Sequence, residues 1–150
     1  MAGYPDKLRD LVANLGMLDE RTDRIAMLID IAGRFQGVPE EVARRPYPQD
    51  HKVPGCESQA YLFAEGLPDH TLRFHFAVEN PQGVSAMALA VILQETLSGA
   101  PPEAVAQVPG EIIYDLFGRD LSMGKSMGLM GMVNMATTTA RQHAATYSNP

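Results

Sequence analysis

Thr71-Leu72-Arg73-Phe74-His75-Phe76-Ala77-Val78-Glu79 decides the fold class. Leu72, Phe74, Phe76 and Val78 lie on one face, and Thr71, Arg73, His75 and Glu79 on the other. That is the period of a β-strand with one face on a core and one towards solvent. Just before it, Ser58 to Glu65 is rich in aromatic and apolar residues and predicts a partner strand. Gly66-Leu67-Pro68-Asp69-His70 is a short turn-rich link, so the two strands form a hairpin. A further strand is expected near His51 to Val53, giving a small antiparallel sheet of about three strands.

Outward from the hairpin the period changes to that of helices. Leu8, Leu11, Val12 and Leu15 have helical spacing, with Gly16 as a stop. A second helix starts near Asp19 and places Ile25, Leu28, Ile29, Ala32 and Phe35 on one face. Gly37 and Pro39 end it. From Gly37 to Gly55, Pro39, Pro46, Pro48 and Pro54 exclude a long helix and predict an irregular connection. After Pro81, the run Val84, Met87, Ala88, Val91, Ile92, Glu95 is helical until Gly99 and Pro101-Pro102. Short helices are expected over Pro102 to Gln107 and Gly110 to Leu116. The last helix begins near Ser122, its cap, with Leu129, Met132, Val133, Ala136 and Ala140 as the buried stripe. Helices, then strands, then helices predict an α+β fold with helices packed on one face of the sheet. The 150 residues suit one domain, 1–150.

The net charge of −6 repels phosphate backbones, so nucleic acid is not an expected partner. No apolar stretch is long enough to span a membrane. The N-terminus lacks the basic start and apolar run of a secretory signal. Cys56 is the only cysteine, which excludes an internal disulfide and any cluster or zinc site built from several thiolates of this chain. No cofactor is expected on the chain. A lone thiol without a signal peptide suits a reducing cytoplasm.

Cys56 follows a Pro/Gly connection and precedes a strand, a junction that holds a side chain at a loop tip. Gly55 permits an unusual backbone angle there. His51 and Lys52 favour a thiolate by charge, while Glu57 opposes it. His51, five positions before Cys56, is the one histidine that invites a test as a base. His51, His70, His75 and His143 are too dispersed for a helical metal site. Gly118 to Ser126 imitates a phosphate-binding loop, but five residues separate Gly118 from Gly124 where the motif needs four. Lys125, on the first turn of the last helix, gains nothing from the helix dipole and is expected to face a partner or the Cys56 loop. Gly124, Gly128 and Gly131 predict close packing of that helix on another element. Met123, Met127, Met130, Met132 and Met135 suit core packing, with part of the cluster open to use as an adaptable contact surface.

Val53-Pro54-Gly55-Cys56-Glu57-Ser58-Gln59-Ala60-Tyr61-Leu62 resembles the signature of the SufE family around its acceptor cysteine. Asp23 to Ala32 is similar to the family's second helix. Ser98-Gly99-Ala100-Pro101-Pro102-Glu103 resembles its bend, and Leu121-Ser122-Met123-Gly124-Lys125-Ser126-Met127-Gly128-Leu129 its turn into the final helix. The resemblance runs over residues 20 to 145 and implies a SufE/IscU-like α+β fold. It implies a sulfur carrier rather than an enzyme. Cys56 would take persulfide sulfur from a pyridoxal-phosphate-dependent, SufS-like cysteine desulfurase and stimulate that enzyme. The sulfur would then pass towards an iron–sulfur scaffold. It also implies that the cysteine loop shields the thiol when free and moves out on docking. Gly55, Glu57, Ser58, Lys125 and His51 are the candidate supporting or partner-contact residues. The chain departs from the family pattern at Glu57 (usually Gln), Tyr61 (usually Trp), Lys125 (usually Arg) and Met127 (usually Asn or Gln). Glu79-Asn80-Pro81-Gln82-Gly83 lacks the family's Asp-containing turn. Lys in place of Arg keeps a charge but loses the planar fork of donors. Two rivals stand beside this expectation. One is an independent thiol hydrolase or transferase using Cys56 with His51 or His75 as base. The other is a degenerate regulator that only binds a desulfurase.

Overall fold

The structure is a computed structural model and describes residues 3–148. The alternating segment forms a strand, β2 (Leu72–Val78), paired antiparallel with β1 (Ala60–Gly66). Leu62 stands opposite Phe76, and Ala64 opposite Phe74. Leu62, Phe74 and Phe76 point into the main core, where Phe74 and Phe76 are fully buried, whereas Ala64 is exposed.

The third strand expected near His51 to Val53 is absent. Gln49–His51 forms a 3-10 turn instead, and Lys52 makes a single antiparallel bridge to Tyr61. Among the described residues the sheet is therefore two-stranded. Pro48 and Pro54 flank this segment and carry no N–H, so a ladder cannot extend in either direction.

Among the described residues, six helices surround the hairpin: α1 (Asp6–Gly16), α2 (Arg21–Ala32), α3 (Val84–Leu97), α4 (Pro102–Val105), α5 (Ile112–Phe117) and α6 (Met123–Ser148). Helix α3 is central. It packs on β2, α1, α2 and α6. Leu89, Ala90, Ile92, Leu93 and Leu97 are fully or almost fully buried, and Thr96 returns its hydroxyl to the Ile92 carbonyl at 2.7 Å. Helix α6 lies along β1 with Leu129, Met132, Val133, Ala136 and Ala140 buried, the stripe read from the sequence. In α1, Leu8 and Leu15 are buried, and Leu11 and Val12 pack at the core's edge. Arg24 ties α2 to its neighbours through the carbonyls of Asp115 (2.8 Å), Leu15 (3.3 Å) and Leu116 (3.4 Å).

Two faces differ from expectation. The second face of β2 does not meet solvent: Ala77 and His75 are buried, and only Arg73 is exposed. The proline-rich connection folds across it. Val38, Val42, Ala43 and Tyr47 pack on Tyr61, Phe63 and Ala77 as a second, small core. On α2 the buried residues are Leu28 and Ile31, whereas Ile25 and Ile29 are 43% and 55% exposed. They line an open groove rather than a core.

Candidate functional site

The connection returns towards the sheet at Lys52, and the chain closes a tight loop before β1. Val53 N–H donates to the Ala60 carbonyl at 2.8 Å, so residues 54–59 form the loop and Cys56 its tip. Gln59 N–H donates to the Cys56 carbonyl at 3.1 Å, which turns the chain again. Gly55 has φ +71° with open space around it, the left-handed angle that glycine takes at no steric cost. Gln59 holds φ +54°, an angle that costs a non-glycine residue of order 1–3 kcal/mol and persists only where neighbours enforce it. They do so here: the Ser58 and Gln59 carbonyls accept from Asn80 and Glu79 at 3.1 and 3.2 Å.

The loop lies on the glycine face of α6. A Cβ on Gly131 would stand 2.9 Å from the Pro54 carbonyl oxygen, and one on Gly128 3.1 Å from Cys56 Cα. The close packing expected from Gly124, Gly128 and Gly131 is thus with the cysteine loop itself. The missing side chains let the loop backbone rest against the helix, leaving the Cys56 thiol half-buried.

Beneath Cys56 is a cavity of about 240 Å³. Cys56, Glu57 and Ser58 line one side, Gly83, Val84 and Ser85 a second, and Ser122, Gly124 and Lys125 a third. The second and third sides are the N-termini of α3 and α6. Helix N-termini carry unsatisfied N–H groups and a partial positive charge. Two of them border this cavity together with Lys125, and the Glu57 carboxylate in the same lining opposes their charge. Ser122 caps α6 as expected, its Oγ accepting from Lys125 N–H at 3.2 Å. Glu57 Oε1 lies 3.3 Å from where a Cβ on Gly124 would stand, so its carboxylate also sits at the start of α6. A second, shallower opening beside the loop is lined by Lys52, Gly55, Cys56 and Glu57.

Four of the sequence candidates, Cys56, Glu57, Ser58 and Lys125, therefore line one cavity, and Gly55 shapes the loop. His51 is not with them. Its Nδ1 donates to the Leu62 carbonyl at 2.8 Å and its ring stacks on Phe63 at 4.6 Å, so it braces β1. His75 pairs with Glu65 at 2.5 Å on the hairpin's second face. Neither opening beside Cys56 is lined by a histidine. Among the described residues no group of three or more His, Cys, Asp or Glu is placed to hold a metal. The contribution of the α3 N-terminus escaped sequence reasoning. The turn Glu79 to Gly83 marks it, but nothing local to that turn points to Cys56.

A half-buried thiol at the mouth of such a cavity is a nucleophile that can attack an electrophilic sulfur and hold the product away from bulk solvent. The SufE profile, described as an Fe-S metabolism associated domain, matches residues 9–140. No curated protein matches the chain in sequence. Among solved structures, the solution structure of a hypothetical protein from Thermus thermophilus superposes with a TM-score of 0.70. The match covers 95% of this chain and 98% of that one at 22% identity, a likeness of fold.

Proposed function

Because the chain belongs to the SufE family, the Fe-S metabolism associated domain, we propose that it is a sulfur acceptor working through Cys56. The observation that carries this is the site itself: a single thiol at a loop tip, over a cavity walled by two helix N-termini and Lys125. The Cys56 thiol releases its proton and the thiolate attacks the outer sulfur of a persulfide on a SufS-like cysteine desulfurase. One S–S bond breaks, a new one forms on Cys56, and the desulfurase thiolate leaves and takes up a proton. The oxidation level of the transferred sulfur is conserved, so no external oxidant or reductant enters. The pyridoxal phosphate belongs to the desulfurase. The cavity then shelters the Cys56 persulfide until an iron–sulfur scaffold takes the sulfur.

The lack of a histidine in either opening beside Cys56 supports a carrier over an independent thiol enzyme, which needs a persistent base within reach of sulfur. The retained thiol supports an acceptor over a regulator that binds without chemistry. A cytoplasmic setting belongs to the same proposal, since an unprotected thiol survives in a reducing compartment. Among the described residues no helix is long and apolar enough to cross a membrane.

The test is desulfurase turnover. A SufS-like enzyme with free cysteine is assayed for alanine release with and without this protein, and with Cys56→Ser. Stimulation by the native chain and none by the variant is the expected result. Equal stimulation by both would assign the chain to regulation without sulfur transfer.

A further inference from the structure

Next to the Cys56 cavity runs a larger groove of about 890 Å³ between α2, α3 and the link from α5 to α6. Its apolar floor and walls are Leu18, Ile25, Leu28, Ile29, Phe117 and Leu121. Ile25 and Ile29 stand one turn apart on α2 and remain about half exposed. The groove and the Cys56 cavity are continuous: Val84, Ser85, Ser122 and Lys125 line both. Of the seven large apolar side chains exposed among the described residues, three, Ile25, Ile29 and Val84, line this one groove. An exposed apolar groove that opens onto the Cys56 cavity marks a place where a partner binds.

The charges on the rim are selective. Arg21 and Asp120 neutralise each other at 2.5 Å, and Arg24 is spent on backbone carbonyls. Lys125, at the Cys56 end, has no anionic partner among the described residues. Asp19 lines the groove but not the Cys56 cavity, and it too has no cationic partner there. An occupant that matches the groove has an apolar stripe, a carboxylate towards the Cys56 end and a basic group further off. A second copy of this chain fits less well, because two chains of charge −6 repel.

We propose that this groove seats an apolar segment of the sulfur-donating desulfurase, with a carboxylate of that segment on Lys125, so that docking there delivers the donor persulfide to Cys56. This rests on the acceptor reading above. The groove thereby acts on affinity, and the Cys56 cavity on chemistry.

The test uses Ile25→Glu and Ile29→Glu in the full chain, with a SufS-like desulfurase as the probe. Titration gives the Kd, and sulfur transfer is followed at low and saturating desulfurase. Each variant is expected to weaken binding and low-concentration transfer at least about fivefold. Transfer at saturation and the iodoacetamide reactivity of Cys56 should stay unchanged. Lys125→Glu should weaken binding most at low salt. Ile29→Ala, which keeps a good helix former, repeats the test if glutamate disturbs the fold. Binding reduced less than fivefold by these variants, while the native chain still takes up sulfur, overturns the groove and leaves the acceptor reading standing. A native chain that takes up no sulfur overturns both. Sedimentation showing a native dimer that the variants disperse would assign the groove to a second copy and also overturn the proposal.

Discussion

Replacing Gly131 by Ala tests whether the cysteine loop rests on α6. In the interior of a helix, Ala is favoured over Gly by about 1 kcal/mol. Gly131 is interior to α6, and with nothing above it the substitution would stabilise the protein by that amount. Its Cβ, however, would lie 2.9 Å from the Pro54 carbonyl oxygen and 3.0 Å from Val53 Cγ1. Neither neighbour can swing aside. Pro54 O is backbone, and Val53 is 1% exposed with its N–H bonded to Ala60. Helix α6 cannot retreat either, since Met132 and Val133 are fully buried. Overpacking of this kind costs about 1–3 kcal/mol, or the loop lifts and gives up part of the Val53 burial. The net expectation is a loss of about 0–2 kcal/mol. At about 3 °C per kcal/mol for a chain of this size, that is a Tm lowered by up to about 6 °C. The lifted loop also exposes the thiol, so Cys56 alkylation by iodoacetamide should quicken several-fold. Gly16→Ala is the reference: a Cβ at this helical glycine meets nothing within 4 Å, so a gain of up to about 1 kcal/mol is expected. If Gly131→Ala raises Tm as Gly16→Ala does and leaves alkylation unchanged, the loop does not pack on the glycine face.

Other substitutions check separate parts of the account. His51→Ala removes the bond to the Leu62 carbonyl and the Phe63 stack, so thermal unfolding should report a loss of about 1–2 kcal/mol. The pH profile of Cys56 alkylation should not move; a rate drop of tenfold or more at neutral pH, with Tm intact, would instead make His51 the base. Arg24→Ala should cost about 1–2 kcal/mol and speed hydrogen exchange at the end of α5, where the guanidinium holds the Asp115 and Leu116 carbonyls. The Asp69 carboxyl is held below the ordinary range by hydrogen bonds from the Thr71 hydroxyl, at 2.6 Å, and the Thr71 N–H, at 3.1 Å. A depressed native value favours the folded state above the unfolded pKa of about 3.9, and that contribution fades as pH falls through the native value. Asp69→Asn should therefore flatten the acid side of a Tm-against-pH curve, and an unchanged curve would remove Asp69 from acid sensitivity.

The elements were legible where one period runs without interruption. Leu72, Phe74 and Phe76 announced β2, and Leu129 to Ala140 announced the buried stripe of α6, because both faces meet a continuous core. Period alone does not say what covers a face. Ile25 and Ile29 share the helical face of Leu28, yet they border a groove and not a core. The cover on Tyr61 and Phe63 comes from Val38, Val42, Ala43 and Tyr47, which have no period among their prolines. The third strand failed because Pro48 and Pro54 leave Lys52 one bridge.

The site was half legible. Gly124, Gly128 and Gly131 indicated a close neighbour, but only the fold shows that the neighbour is the Cys56 loop. His51 is near Cys56 in sequence, but its ring turns to the Leu62 carbonyl and Phe63 on β1. The meeting of the α3 and α6 N-termini at Cys56 joins residues far apart in the chain, which no local pattern encodes.

The measurement that bears most directly on sulfur acceptance is the intact mass of the protein after incubation with a SufS-like desulfurase and free cysteine, without reductant. A mass increase of one sulfur on the native chain, absent in Cys56→Ser and reversed by reductant, is the predicted result. An unmodified native chain whose Cys56 still alkylates as a free thiol, while the desulfurase carries its own persulfide, would contradict it.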